Sequence, residues 1–81
     1  MRLPRDLTGD ELIRRLQRLG YTPTRQSGSH VRLTARDDRG EHHLTVPRHD
    51  PLRMGTLAAI LAAVADRQGV SRDELLARLM T

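Results

Sequence analysis

Gln26-Ser27-Gly28-Ser29-His30-Val31-Arg32-Leu33-Thr34 joins a small turn to a run of alternating apolar and polar residues. Val31, Leu33 and Ala35 form the apolar set, with Arg32 and Thr34 between them. That period of two marks a half-buried strand. Successive strand side chains point to opposite faces, so Val31, Leu33 and Ala35 turn toward a core. His30, Arg32 and Thr34 then share the open, solvated face. The Ser27-Gly28-Ser29 turn sets His30 at the very start of the strand. Histidine has an unperturbed pKa of about 6.5 and so exchanges a proton near neutral pH.

The segments on either side of this stretch give the rest of the fold. On the N-terminal side, Tyr21 to Gln26 reads as a strand, and Pro23, which lacks an amide donor, puts it at a sheet edge. Before it, Thr8 and Glu11 form a capping box, flanked by Leu7 and Leu12 as a hydrophobic staple. Leu12, Ile13, Leu16 and Leu19 make one apolar helix face, Asp10–Arg14 and Glu11–Arg15 are i,i+4 pairs, and Gly20 suits the C′ position. On the C-terminal side, Asp37-Asp38-Arg39-Gly40 is turn chemistry. A third strand follows, with Leu44 and Val46 inward, His43 and Thr45 outward, and Pro47 at its end. Connections this short predict an antiparallel meander. Leu57, Ile60, Leu61 and Val64 define a second helix closed by Gly69. Ser71 and Glu74, stapled by Val70 and Leu75, start a third. The order α-β-β-β-α-α predicts an α+β fold: a three-stranded antiparallel sheet, helices on one face, the other face open. Residues 1–81 read as one domain.

Composition limits what such a domain can do. A chain of 81 residues buries roughly 60% of its unfolded surface, so its stability margin is thin. It has no cysteine, which fits a reducing compartment. The longest apolar run, Leu57 to Ala65, is far shorter than the ~20 residues of a membrane span. No apolar signal segment follows Met1, so the expected location is the cytoplasm. All 14 basic residues are arginine, against 10 acidic ones, for a net charge of +4. Arginine's planar fork of donors matches phosphate. GC-rich codon usage accounts for a lack of lysine equally well. Tyr21 is the sole aromatic residue, so base stacking is not the main way of holding a nucleic acid. Phosphate, sugar and shape contacts remain.

These limits point to an open sheet face bearing His30, Arg32, Arg25 and His43. The set suits phosphodiester cleavage in RNA without a metal. Histidine can take the proton of a ribose 2′-hydroxyl or deliver one to the leaving 5′-oxygen, and arginines can hold the phosphate. If the strands register so, His30 and His43 form an acid/base pair. The bland alternative for each is a polar surface residue. His42, His43, His49 and Asp50 are of metal-ligand type, but neighbouring strand residues face opposite ways, so His42 and His43 do not share an ion. Alternation turns His42 inward. Ala65-Asp66-Arg67-Gln68-Gly69-Val70-Ser71-Arg72 has the form of a helix-turn-helix turn. The first turn of the following helix, Arg72-Asp73-Glu74, is mostly acidic and suits phosphate poorly.

Taken together, several segments resemble the HicA toxin family, the small ribonucleases of HicBA toxin–antitoxin pairs. They are Leu12 to Gly20, Arg25-Gln26-Ser27-Gly28-Ser29-His30, Leu44-Thr45-Val46-Pro47-Arg48-His49, Gly55-Thr56-Leu57 with Ile60-Leu61, and Gly69-Val70-Ser71 with Glu74-Leu75. Arg48 and Arg53 stand where members usually carry lysines. The resemblance implies a double-stranded-RNA-binding-like fold used as an mRNA endoribonuclease, with His30 as the catalytic histidine and no cofactor. Arg25, Ser29, Arg32 and His43 are the candidate RNA-binding residues. The implied partners are mRNA and a HicB-type antitoxin that covers the active face, with DNA reached only through the antitoxin. The rival functions are a non-catalytic duplex-RNA-binding module and a helix-turn-helix DNA binder.

Overall fold

The computed structural model describes residues 2–81. Helix α1 (Gly9–Gln17) is followed by strands β1 (Thr22–Ser27), β2 (His30–Asp37) and β3 (Gly40–Pro47), then helices α2 (Met54–Gln68) and α3 (Arg72–Leu79). The strands pair antiparallel in the order β1-β2-β3. The expected α-β-β-β-α-α architecture is thus the observed one, with Pro23 on an edge strand.

Local chemistry explains where each helix starts and stops. Thr8 accepts the Glu11 amide at 3.1 Å, and Ser71 accepts the Glu74 amide at 3.1 Å, so each cap satisfies a donor that the first helical turn leaves free. Gly69 closes α2 in the left-handed region at φ 68°, a conformation glycine adopts without a Cβ penalty. Arg14 acts on Asp10 through its charge, as expected of an i,i+4 pair, but the hydrogen bonds of Asp10 and Arg15 go to longer-range partners. Asp10 takes both Nε and Nη2 of Arg48, and Arg15 donates to the Leu79 carbonyl at 2.7 Å. Arg48 follows the end of β3 and Leu79 ends α3, partners that sequence spacing within one helix does not reveal.

One apolar cluster fills the space between the sheet and the helices. It takes Leu12, Ile13 and Leu16 from α1, Val31, Leu33, Leu44 and Val46 from the sheet, Leu57, Ile60, Leu61 and Val64 from α2, and Leu75, Leu76 and Leu79 from α3. Val31 and Leu33 are buried while His30 is exposed, so alternation along β2 separates the two faces as expected. Tyr21 is 2% exposed, and its hydroxyl meets His42 Nδ1 at 2.7 Å. The inward turn of His42 therefore has a buried partner.

Gly9 decides how closely α1 docks on the end of β3. A Cβ there would overlap the Pro47 carbonyl oxygen and stand 2.8 Å from Arg48 Cα. The Gly9 amide donates to the His49 carbonyl at 2.9 Å, and Leu52 donates to Leu7 at 2.8 Å. The chain leaving β3 is thereby bound along the start of α1. Among the described residues, no helix is long and apolar enough to cross a membrane.

Candidate active site

The open face of the sheet is built from the polar set of each strand. The β1–β2 connection is tighter than the expected Ser27-Gly28-Ser29 turn. Ser27 pairs with His30, which leaves Gly28 and Ser29 as a two-residue turn. Gly28 holds φ 58° and no other residue of the turn has positive φ, a geometry whose twist matches a hairpin.

His30 is fixed from both sides. It pairs with Ser27 on β1 and Pro47 on β3. Just beyond, the Arg48 amide donates to the Ser29 carbonyl at 2.7 Å. The backbone under His30 is thus part of a three-stranded ladder, whereas its side chain is exposed. Arg48 is in turn tied to Asp10. That contact holds the Asp10 carboxyl below its usual range, through the Arg48 hydrogen bond first and its charge besides.

Arg25 reaches this face through a bulge. Pro23 opposes Leu33, but Arg25 opposes Arg32, with Thr24 inserted between the two pairs. In a regular ladder Arg25 would oppose Val31, on the helix-facing row. The bulge re-aims one side chain, as bulges beside functional sites do. As a result two arginines stand directly opposite each other, and on its other side Arg32 has the uncharged Thr45. Neither guanidinium has an ion pair or a side-chain hydrogen bond among the described residues. Like charges placed directly opposite are destabilising, so this juxtaposition suits an anion lying between them.

Arg25, Arg32 and His43 line one shallow concavity of about 550 Å³, together with Thr24, Thr34, Arg36 and Glu41. His30 and Ser29 lie beyond its edge, at the hairpin end of the same sheet face. The register also corrects the expected His30–His43 pair. His43 opposes Thr34, four residues along β2 from His30, a separation of about 13 Å at ~3.3 Å per residue. His30 and His43 are therefore not cross-strand neighbours. The turn at Asp38-Arg39 sets this register, and a one-sided reading of each strand does not contain it.

His43 instead belongs to a polar chain. Its Nδ1 is 2.9 Å from Thr34 Oγ1, which is 2.9 Å from Thr24 Oγ1. Its Nε2 lies 3.7 Å from Glu41. Glu41 also pairs with Arg36. That bond, with the charges of Arg36, His43 and Arg32, keeps its carboxyl below the ordinary range. Glu41 and Thr34 were not among the expected site residues. The i,i+2 spacing of Glu41 and His43 was a readable signal, since it puts both on one strand face.

On the opposite face, burial lowers the His42 pKa, helped by the Arg67 charge. His42 and His43 thus point away from each other, as expected. The segment of the helix-turn-helix reading packs into the core, and its first helical turn carries Arg72 exposed beside Asp73 and Glu74. α3 buries Leu75, Leu76 and Leu79 in the core, and Arg78 is paired with Glu74 at 2.9 Å. The α2–α3 connection closes the core.

Comparison with known proteins adds one finding. A family model described as the HicA toxin of bacterial toxin–antitoxin systems matches residues 9–65. The matched span runs from the start of α1 nearly to the end of α2 and includes the whole sheet. No curated protein and no solved structure matches the chain. The family match covers well over half of the 81 residues, including the Gly28-Ser29-His30 turn and the strands that hold it, and the chain therefore belongs to the HicA toxin family of bacterial toxin–antitoxin systems.

Proposed function

We propose that this toxin acts as a metal-independent endoribonuclease on mRNA, with His30 transferring the proton. The observation that carries the reading is the exposed His30 imidazole on a ladder-anchored backbone, two residues from Arg32 on the same face. In the step, a ribose 2′-oxygen bonds to phosphorus and the bond to the 5′-oxygen breaks. The 2′-hydroxyl proton goes to a base, and an acid supplies a proton to the departing 5′-oxygen. His30 serves at one of these two positions. Arg25 and Arg32 hold the phosphate and offset the charge that builds on its oxygens. Ser29 orients the turn that presents His30. Imidazole and guanidinium groups supply both proton transfer and charge stabilisation, so the step calls on no metal ion.

Membership of a toxin–antitoxin family implies an antitoxin partner. We take it to be a HicB-type protein that covers the open face and blocks access to His30. The alternative, a module that binds RNA and leaves it intact, shares the arginines but gives His30 no task.

The reaction class is tested by incubating the protein with mRNA in EDTA and examining the ends. Cleavage that persists in EDTA, leaves a 2′,3′-cyclic phosphate and a 5′-hydroxyl, and stops at a 2′-deoxy substitution is expected. Complete loss of cleavage in EDTA, or cleavage of the 2′-deoxy site, would overturn the reading.

A further inference from the structure

The polar chain on the floor of the concavity has a direction, and the charge on His43 sets it. When the imidazole is neutral with its proton on Nε2, toward Glu41, Nδ1 can only accept. Thr34 then donates to Nδ1, and Thr24 donates to Thr34, over the two 2.9 Å contacts. Both hydroxyl protons point toward His43, and Thr24 shows lone pairs to the solvent side. When the imidazole is protonated, Nδ1–H donates to Thr34. The Thr34 proton is then free to turn to Thr24, which frees the Thr24 proton to turn outward. Within the protein its remaining acceptor is the Arg32 carbonyl, at 3.4 Å, the long limit of a hydrogen bond.

We propose that Thr24, Thr34 and His43 form a second phosphate subsite, which donates to an RNA phosphate when His43 is protonated and opposes it when His43 is neutral. The ligand's identity rests on the RNA-cleavage reading given above. The charged groups facing His43 are Glu41 on its own strand, Arg32 and Arg36 on β2, and Arg25 across the concavity on β1. Arg36 is engaged by Glu41, and Arg32, two residues from Thr34 along β2 and opposite Arg25, lies between this subsite and His30. The subsite lies about 13 Å from His30 by strand register. At that separation the phosphate held here belongs to a different nucleotide from the one cut. The substrate is then a single strand several nucleotides long, followed along its backbone. No Phe, Tyr or Trp side chain is available to stack its bases, because the single such residue, Tyr21, is buried.

Binding is measured with the His30→Ala protein, so that RNA survives, using a fluorescent oligouridine of about twelve nucleotides near pH 5.5 and near pH 8, the range that histidines span. The expected result is roughly tenfold tighter binding at the lower pH. Adding His43→Gln, which keeps an amide but no titratable charge, should leave less than about a twofold difference. Thr34→Val should do the same, and Thr34→Ser should restore it. Thermal melting confirms that each variant is folded. An unchanged pH dependence in His43→Gln overturns the proposal. Loss of the dependence in His43→Gln but not in Thr34→Val also overturns it, because His43 would then act by charge alone. The nuclease reading fails separately: pH-gated binding by a protein that never cuts RNA leaves the subsite standing, and cleavage with pH-independent binding leaves only the nuclease.

Discussion

Tyr21, the sole aromatic residue, lies in the core, where its hydroxyl meets His42 Nδ1 at 2.7 Å and the rings stand edge-on with centroids 5.7 Å apart. Burial raises the Tyr21 pKa and lowers that of His42. For His42 the folded value is depressed, so the unfolded chain binds the proton more readily. Stability contributed by the neutral ring is present above the unfolded pKa and declines as pH falls below it. The melting temperature should therefore drop between about pH 7 and pH 5, and His42→Gln should flatten that drop. The lowered carboxyls of Asp10, Asp37 and Glu41 act in the same direction only at lower pH, as they protonate. Tyr21→Phe should cost about 1 kcal/mol in denaturant unfolding, the worth of a typical internal hydrogen bond.

Arg32 carries an opposite balance, because its position opposite Arg25 favours a ligand at the expense of the free fold. Arg32→Thr should stabilise the isolated protein by about 0.2–1 kcal/mol, the size of a cross-strand effect. It should at the same time weaken RNA binding and lower the salt slope of log affinity by about 0.7, one phosphate's share on a single strand. A variant that lost both stability and affinity would contradict the assignment of Arg32 to an anion.

At the scale of elements, α1 and the end of β3 hold the His30 row in place. Gly9 has no room for a side chain against Pro47 and Arg48, and Pro47 is the ladder partner of His30. Gly9→Ala should destabilise the protein by about 1–3 kcal/mol, the usual cost of forcing a methyl group into a packed contact. It should lower RNA cleavage as well, because the shift falls on the strand end beside His30. Equilibrium unfolding and cleavage rate measured on the same preparation check both effects.

Much of this arrangement was legible in residues taken one segment at a time. Thr8, Ser71 and Gly69 mark helix ends by local hydrogen bonding, and Val31 and Leu33 mark the inward face by alternation. Pro23 marks the edge strand. What escaped depends on pairing between distant segments. The Thr24 bulge is a two-against-one count between strands, and no dipeptide announces it. The distance from His30 to His43 follows from a register set at the β2–β3 turn. Asp10 looked like a partner for Arg14, yet it bonds Arg48 across 38 positions of sequence, because α1 docks where β3 ends.

Over the whole molecule, some arginines are matched to carboxylates and others are not. Arg36, Arg48, Arg67 and Arg78 are each matched to a carboxylate. Arg67 binds Asp37 and the Gly40 carbonyl, tying the β2–β3 turn to the last turn of α2. Beside the candidate site Arg25 and Arg32 have no ion pair among the described residues, which leaves that face positive. An antitoxin that covers the face must therefore meet it with acidic groups or displace RNA sterically. Adding the cognate antitoxin should stop RNA cleavage, and Arg25→Glu/Arg32→Glu should weaken the complex if acidic groups make the contact. Gel filtration of the mixed proteins reads that outcome.

The role of His30 itself is tested most directly by single-turnover cleavage of mRNA in EDTA, comparing the wild-type protein with a folded His30→Ala variant. The variant should be slower by about 10²–10⁴-fold, the usual worth of general acid–base catalysis, with RNA binding largely retained. Equal cleavage by the two proteins would contradict it.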